Sequence, residues 1–473
     1  MKRYLLPALL SGFLVACGPV SALVETEPRI EELKAENALL RARIEALEKA
    51  FGEIREKLSD RTDAASASEA TKQVSLAATA VSVRPSVASK YPVDVYGYLK
   101  LDMAWDTSRT DTGNFARWAL SDSVVAPDDR QFSQTVNQTR FGLNFKGPDE
   151  GRAKVSGQYE IDLYGGGAEN SAMVRTRHAF FQVDWPGEVS LLMGQTWDLV
   201  GPQNPNTLDY TVAWQGGNLG FRHPQLRVTK GIEAGDCRLV FQAAASRKIG
   251  DATTFGSSPD TGADSGSPAL QGRIGYTFPT GKGLKSTIGV WGHDGSDEYD
   301  YDAAGNSVAV RSHSKGVDLA IAFSKTLAIK GEVWEGKNLD EYQGGIAQGV
   351  IVTAATGTVA VPVINRVVNN ASIAGLGRFV DAVGMKSRGG WFELNAGPFA
   401  AWRYNIGFSY DDPDDDLLPN GSRTHNRLRW INAMYDLNAA VQMGLEYMRL
   451  ETEYKNRLSG ADTRLQTSFI YKF

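Results

Sequence analysis

Arg140, Arg227 and Arg403 each stand at the polar positions of a segment whose alternate positions are apolar, and Lys154, Glu160 and Asp162 do the same in one further segment. Phe141, Leu143 and Phe145 alternate with Arg140, Asn144 and Lys146, while Val155, Tyr159, Ile161 and Leu163 alternate with Lys154, Gln158, Glu160 and Asp162. Trp402, Tyr404, Ile406, Phe408 and Tyr410 alternate with Arg403, Asn405 and Ser409. A period of two puts each set on its own face of a β-strand. If the apolar face meets lipid, the charges line an aqueous lumen. Guanidinium groups never lose their charge and grip carboxylates through a planar fork. Fixed charge in a narrow passage concentrates the counter-ion. The expected chemistry is selective passage, with Glu160 and Asp162 as an acidic wall opposite the arginines. Covalent chemistry has no comparable signature. His178, His223, His293, His313 and His425 show no metal-ligand spacing, and neither G-x-S-x-G nor H-E-x-x-H occurs. We expect no catalytic set, no metal and no cofactor.

Such strands need turns to close them. Short turn signals lie at Gly147-Pro148-Asp149, Pro186-Gly187, Glu233 to Asp236, Pro279-Thr280-Gly281, Ser324-Lys325-Thr326, Asn395 to Pro398 and Asp436-Leu437-Asn438. Longer polar stretches fall between them, near 107–135, 198–221, 248–268, 293–311, 337–385 and 411–424. Short turns at one end and long loops at the other are the habit of transmembrane barrels. Seven short turns join fourteen strands, and the first and last strands raise the number to sixteen. The expected fold is an all-β transmembrane barrel of about 16 antiparallel strands over 93–473, wide enough for an aqueous channel. In the last strand Leu465, Thr467, Phe469, Tyr471 and Phe473 share one face, and Arg464, Gln466, Ser468 and Lys472 the other. The ending Tyr471-Lys472-Phe473 resembles the C-terminal signal through which outer-membrane barrels meet their assembly machinery.

The first 22 residues read as a secretory signal, with Lys2 and Arg3 before the apolar run Leu5 to Ala16. Val20-Ser21-Ala22 offers one cleavage site. Leu14-Val15-Ala16-Cys17 offers a lipobox that would cut after 16 and leave Cys17 lipidated. Within 23–58, Ile30, Leu33, Asn37, Leu40, Ile44, Leu47, Phe51, Ile54 and Leu58 follow at spacings of 3 and 4. That is a coiled-coil core with one polar a position, and it predicts self-association. Residues 59–92 are small and polar, a flexible linker. The formal net charge of -5 argues against a nucleic-acid partner. Cys17 and Cys237 are the only cysteines, so the mature chain holds no internal disulfide framework. Cys237 shares parity with Leu239 and Phe241 and is expected on the lipid face. Asp411, Asp412, Asp414, Asp415 and Asp416 form an acidic external loop whose spacing fits no EF-hand.

Four motifs in order, Gln138 to Gly142, Val174 to Phe180, Gly194 to Trp197 and Arg222 to Arg227, resemble the DcaP-like porins, a family of trimeric outer-membrane channels linked to dicarboxylate uptake. The resemblance covers the coiled coil and the first third of the barrel. It implies a homotrimer, a periplasmic coiled coil, and an arginine-rich lumen built from Arg140, Arg175, Arg177, Arg222 and Arg227. Arg175 and Arg177 share parity with Ala179, Phe181 and Val183. Either a bulge reverses the parity there or the two lie at the aqueous rim. In sixteen-strand porins the third external loop folds inward, so Gln203, Asn206 and Asp209 of 198–221 are expected to line a constriction. The wording after Trp197 departs from the family pattern. The expected function is passive diffusion of small hydrophilic, carboxylate-type anions across the outer membrane. A structural anchor reaching the cell wall is the alternative; a barrel enzyme lacks its catalytic residues.

Overall fold

The computed structural model describes residues 90–473 apart from 126–127, 151, 169–170, 248–264, 282, 301–306, 355–356 and 362–378. These belong to one compact unit, Val87–Phe473. The signal sequence with Cys17, the coiled-coil positions Ile30 to Leu58, and the linker up to 89 lie outside the described residues.

Among the described residues, sixteen antiparallel strands close into a barrel. They are β1 (Val93–Asp106), β2 (Gln131–Thr135 and, after a break, Arg140–Glu150), β3 (Ala153–Asp162), β4 (Arg175–Trp185), β5 (Val189–Trp197), β6 (Arg222–Ala234), β7 (Cys237–Ser246) and β8 (Ala269–Gly281). There follow β9 (Leu284–Asp300), β10 (Ser307–Ser324), β11 (Leu327–Lys337), β12 (Lys386–Phe399), β13 (Trp402–Pro413), β14 (Arg423–Asp436), β15 (Val441–Tyr454) and β16 (Gly460–Lys472). The two pieces of β2 pair with one strand, β1, and so count once. The expected strand number holds.

The period-two pattern explains the wall. On β16, Asp462, Arg464, Gln466 and Ser468 point inward and are buried, while Leu465, Phe469 and Tyr471 are exposed outward. The same alternation leaves Phe141, Phe181, Phe241, Ile274, Ile406, Phe408 and Ile431 on the outside, a belt suited to hydrocarbon. Closure comes at the chain end. Phe473 exchanges two backbone hydrogen bonds with Gly97 at 3.1 and 3.2 Å, and its ring meets Phe141 at 5.4 Å. Gly97 has φ +156°, and a Cβ there would lie 2.2 Å from the Arg140 carbonyl oxygen, so only glycine fits the seam. Deleting Phe473 removes both bonds, each worth about 1 kcal/mol, together with the ring contact. The expected result is less folded, heat-modifiable barrel on cold gels; unchanged yield and mobility would show that the seam closes without it.

Three expected turns sit a few residues off. The flanking strands run on to Glu150, Gly281 and Phe399 and resume at Ala153, Leu284 and Trp402, and the Pro/Gly signals before those ends form β-bulges. Pairing slips between Lys146 and Asp149, between Pro279 and Gly281, and between Ala396 and Phe399. Proline has no N–H for the ladder; Pro148 and Pro398 fall among the residues passed over, while Pro279 stays opposite Lys285 and Thr280 is passed over. The expected loop at 293–311 is corrected as well. β9 and β10 stay paired from Thr287 with Ala320 out to Asp300 with Ser307. On the β9 arm Asp294, Gly295, Ser296, Asp297 and Glu298 carry no apolar alternation, and the composition resembles a loop for that reason.

Candidate functional site

The interior is built from inward tryptophans. Trp291 on β9, Trp334 on β11, Trp391 on β12 and Trp430 on β14 face the lumen side yet are buried. Indole rings are not left in water when a partner is available. Three connections supply it. Val200 and Leu219, from the segment between β5 and β6, pack with Trp291, Trp334, Leu339 and Tyr342. Ala116 and Ala119, from the segment between β1 and β2, pack with Ala213, Trp391, Leu428, Trp430, Met448 and Leu450. The segment 338–351 between β11 and β12, with a short 3-10 turn Asp340–Tyr342, is the third. Its Leu339, Tyr342, Ile346 and Ile351 are buried. Burial, with Asp198 and Glu341 nearby, pushes the Tyr342 hydroxyl well above its ordinary range. Sequence reasoning expected one in-folded loop and missed the other two. The signal was there: four tryptophans at water-side parity demand an apolar partner.

The segment 198–221 runs along the inner wall and is held by it. Glu332 of β11 accepts the Gln203 N–H at 2.8 Å, and Glu393 of β12 accepts the Asn206 N–H at 2.9 Å. Glu446 of β15 accepts the N–H groups of Leu208 and Asp209 at 2.7 and 3.1 Å. Lys100 and Gln466 donate to the Leu208 carbonyl at 2.8 and 3.0 Å. Trp334 donates to the Gly217 carbonyl at 2.7 Å. Gly217 lies against β12 and β13 with φ +129°, and a Cβ would stand 2.4 Å from the Gly390 oxygen. The carboxylates replace the hydrogen bonds that an extended strand would have made.

Of the expected constriction residues, Gln203 is half-buried, with its amide 3.2 Å from Asp318, and Asn206 is exposed. Asp209 is a correction. It is 1% exposed, accepts the Ala116 N–H of the β1–β2 connection at 3.2 Å and lies 3.7 Å from Arg464 on the wall.

The arginines divide by their surroundings. At β4 the ladder slips between Glu160, paired with His178, and Ile161, paired with Thr176, so Arg177 is the extra residue of a bulge. That reverses the parity and brings Arg175 and Arg177 inward. Arg177 bonds Glu160 at 2.6 Å and Asp162 at 2.9 Å, and Arg175 bonds Asp162 at 2.7 Å and the Tyr210 hydroxyl. Arg222 is buried against aromatic faces, its guanidinium 4.5 Å from the Trp197 ring and 4.7 Å from Phe221. Arg140 lies over Tyr98 at 5.3 Å, and Arg227 bonds Gln225 at 2.9 Å and the Trp197 carbonyl. Neither Arg140 nor Arg227 makes an ion pair among the described residues. Two expected lumen residues lie apart from this group. Lys154 is exposed at the start of β3, and Arg403 pairs with Asp436 at 2.8 Å near the 400–401 turn. Cys237 begins β7, with its sulfur 3.2 Å from the Tyr276 hydroxyl. Asp411 is buried, bonded to Ser387 at 2.6 Å, whereas Asp414, Asp415 and Asp416 are exposed.

No protein-family profile matches the sequence, and no curated protein matches it. Solved structures do. The outer membrane channel DcaP of Acinetobacter baumannii superposes with a TM-score of 0.59 at 18% identity, over 80% of this chain and 97% of that one. The fold is that of the DcaP channel. OmpF of Salmonella typhi, in its complex with daunomycin, superposes with a TM-score of 0.51 at 15% identity, over 81% of this chain and 98% of that one. The DcaP resemblance read from the motifs therefore holds at the level of the fold.

One consequence is testable at once. Glu160 and Asp162 are buried and share Arg177. Replacing Arg177 with Ala leaves buried carboxylates short of a partner, which costs about 3–5 kcal/mol. The expected result is a lower unfolding temperature in detergent, with Arg177→Lys recovering only part, because one ammonium cannot reproduce the fork. Equal stability of Arg177→Ala and the parent would refute the pairing.

Proposed function

We propose that the chain is an outer-membrane porin through which small hydrophilic anions, carboxylates among them, diffuse passively. One observation carries this reading. Inside the barrel Arg177, Arg222, Arg464 and Lys100 are covered, but among the remaining charges six carboxylates are covered while five cations keep an open edge. Glu160, Asp162, Asp318, Glu332, Glu393 and Glu446 are 7% exposed or less. Arg140, Arg175, Arg227, Arg273 and Lys330 keep partial exposure. Water that enters meets guanidinium and ammonium groups, and a passage so lined concentrates anions. The names of the superposable structures, an outer membrane channel and OmpF, agree with a channel.

In the same reading the first strand starts and the last strand ends on the periplasmic side, where 23–58 forms a coiled coil that fits a homotrimer. Phe473 presents the chain end to the assembly machinery. Gln203 and Asn206 border the constriction, with Arg273 beside Gln203 on the shared Asp318 and Lys330 donating to Asn206 at 3.0 Å. No energy coupling or cofactor enters.

The test is single-channel conductance of the purified protein in a planar bilayer under a salt gradient. Conductance in steps of three with a reversal potential favouring anions supports the reading. Cation preference removes the anion claim. Folded protein without conductance favours the structural anchor, for which the three in-folded segments are the motivating observation.

A further inference from the structure

The outer surface changes character abruptly on half of the barrel. Along β9 to β15 the outward positions are apolar up to one height: Val290, Val317, Val333, Phe392, Phe408 and Tyr447. Toward the end bearing the long connections charge takes over: Lys315 and Glu335 directly follow Val317 and Val333, and Arg388 and Asp412 come after Gly390 and Tyr410. The ladder sets Lys315 opposite Glu335, Glu335 opposite Arg388, and Arg388 opposite Asp412, so these four form one continuous row across four strands. Its members are paired, Lys315 with Glu335 and Arg388 with Asp412, both at 2.8 Å.

The row beyond it is different. His313 stands opposite Lys337, and Lys337 directly opposite Lys386. Like charges facing each other across a sheet are destabilising. Neither lysine has a carboxylate within ion-pair distance among the described residues. A groove of about 860 Å³ passes over both rows; Arg311, paired with Asp294 at 2.6 Å, Arg388, paired with Asp412, and the exposed Asp414 and Asp415 stand at its sides, which leaves Lys337 and Lys386, among the described residues, as its cations without an ion pair. On β6 to β8 the matching outward positions are Leu226, Ala243, Ala245, Leu270 and Gly272, without charge. The band is therefore a local feature and not a general rim.

We propose that this band seats the phosphorylated headgroup of an outer-leaflet glycolipid, with Lys337 and Lys386 taking one phosphate between them. The inference rests on the outer-membrane reading above, which makes the long-connection end external. The height decides the occupant. The lysines lie just past the apolar belt, where acyl chains end and headgroup phosphates begin. A dianion placed between two facing ammonium groups turns their repulsion into attraction. Basic clusters immediately outside a hydrocarbon layer recognise anionic headgroups in this way. A freely diffusing phosphate would gain nothing from the apolar belt below.

The test uses the full chain in detergent, with bis-phosphorylated lipid A as the probe. Thermal unfolding and native mass spectrometry read binding for the parent and for K337Q/K386Q. The expected result is lipid A adducts and a raised unfolding midpoint for the parent, with binding at least tenfold weaker in the double variant. Without lipid, the double variant should unfold at a higher temperature than the parent, because the repulsion is gone. Conductance should not change, since these residues are outside the lumen, and a failure here leaves the channel reading untouched. Four outcomes would overturn the proposal: equal binding by the variant, equal stabilisation by dephosphorylated lipid A, the same shift with inorganic phosphate alone, or a change of oligomer size in the variant, which would assign the band to a subunit contact.

Discussion

Removing residues 203–216 and joining the ends through a short glycine linker raises the single-channel conductance several-fold and turns the preference from anions to cations. The rise follows from clearing a segment that lies inside the wall. The change of sign follows from what that segment covers. Glu332, Glu393 and Glu446 now bind the backbone N–H groups of Gln203, Asn206, Leu208 and Asp209. Without them three carboxylates meet water inside the pore, and fixed negative charge concentrates cations. A segment that merely narrowed the pore would give the larger conductance with the original sign. Reversal potential separates the two: anion preference retained after the deletion would show that the carboxylates take no part. The variant also loses the packing of Leu219 and Val200 if the linker strains them, so folded yield is checked alongside.

Arg140→Glu combined with Arg227→Glu should move the reversal potential toward cation preference while the barrel stays folded. The two were chosen for their lack of ion-pair partners. Arg140 rests on Tyr98 and Arg227 on Gln225 and a carbonyl, so neither substitution strands a buried carboxylate. In a tenfold gradient of a monovalent salt the range between ideal anion and ideal cation selectivity is about 59 mV on either side of zero. A swing of some tens of millivolts is expected. Arg177 is the contrasting position. Its charge is spent on Glu160 and Asp162, so its loss should act on stability and hardly on selectivity. A double variant with the parent's reversal potential would remove Arg140 and Arg227 from the conduction path.

The wall was legible because alternation is a local property. Phe141, Leu143 and Phe145 against Arg140, Asn144 and Lys146 need no knowledge of distant residues, and the turn residues count the strands. The parity conflict at Arg175 and Arg177 was also visible, and a bulge was one of its two solutions. Selecting between them needed the register with β3, where His178 and Thr176 face consecutive residues. The loop at 293–311 misled for the opposite reason. A hairpin arm that leaves the belt loses the apolar half of the alternation that marks a strand.

The interior was legible only in outline. Asp209 has the residue type of a constriction carboxylate, but its direction is fixed by Arg464 and the Ala116 backbone, far away in the chain. Trp291, Trp334, Trp391 and Trp430 break the water-side parity on four strands, yet nothing local says which connection covers each. By itself the sequence determined the barrel, its strand number, and the charges available to the lumen. All of these follow from period, turn chemistry and residue type, which act between near neighbours. Only the tertiary structure decided which charges stay open. That depends on three connections meeting inside the wall, where a glutamate is hidden by a backbone N–H and an arginine is left uncovered because no loop reaches it.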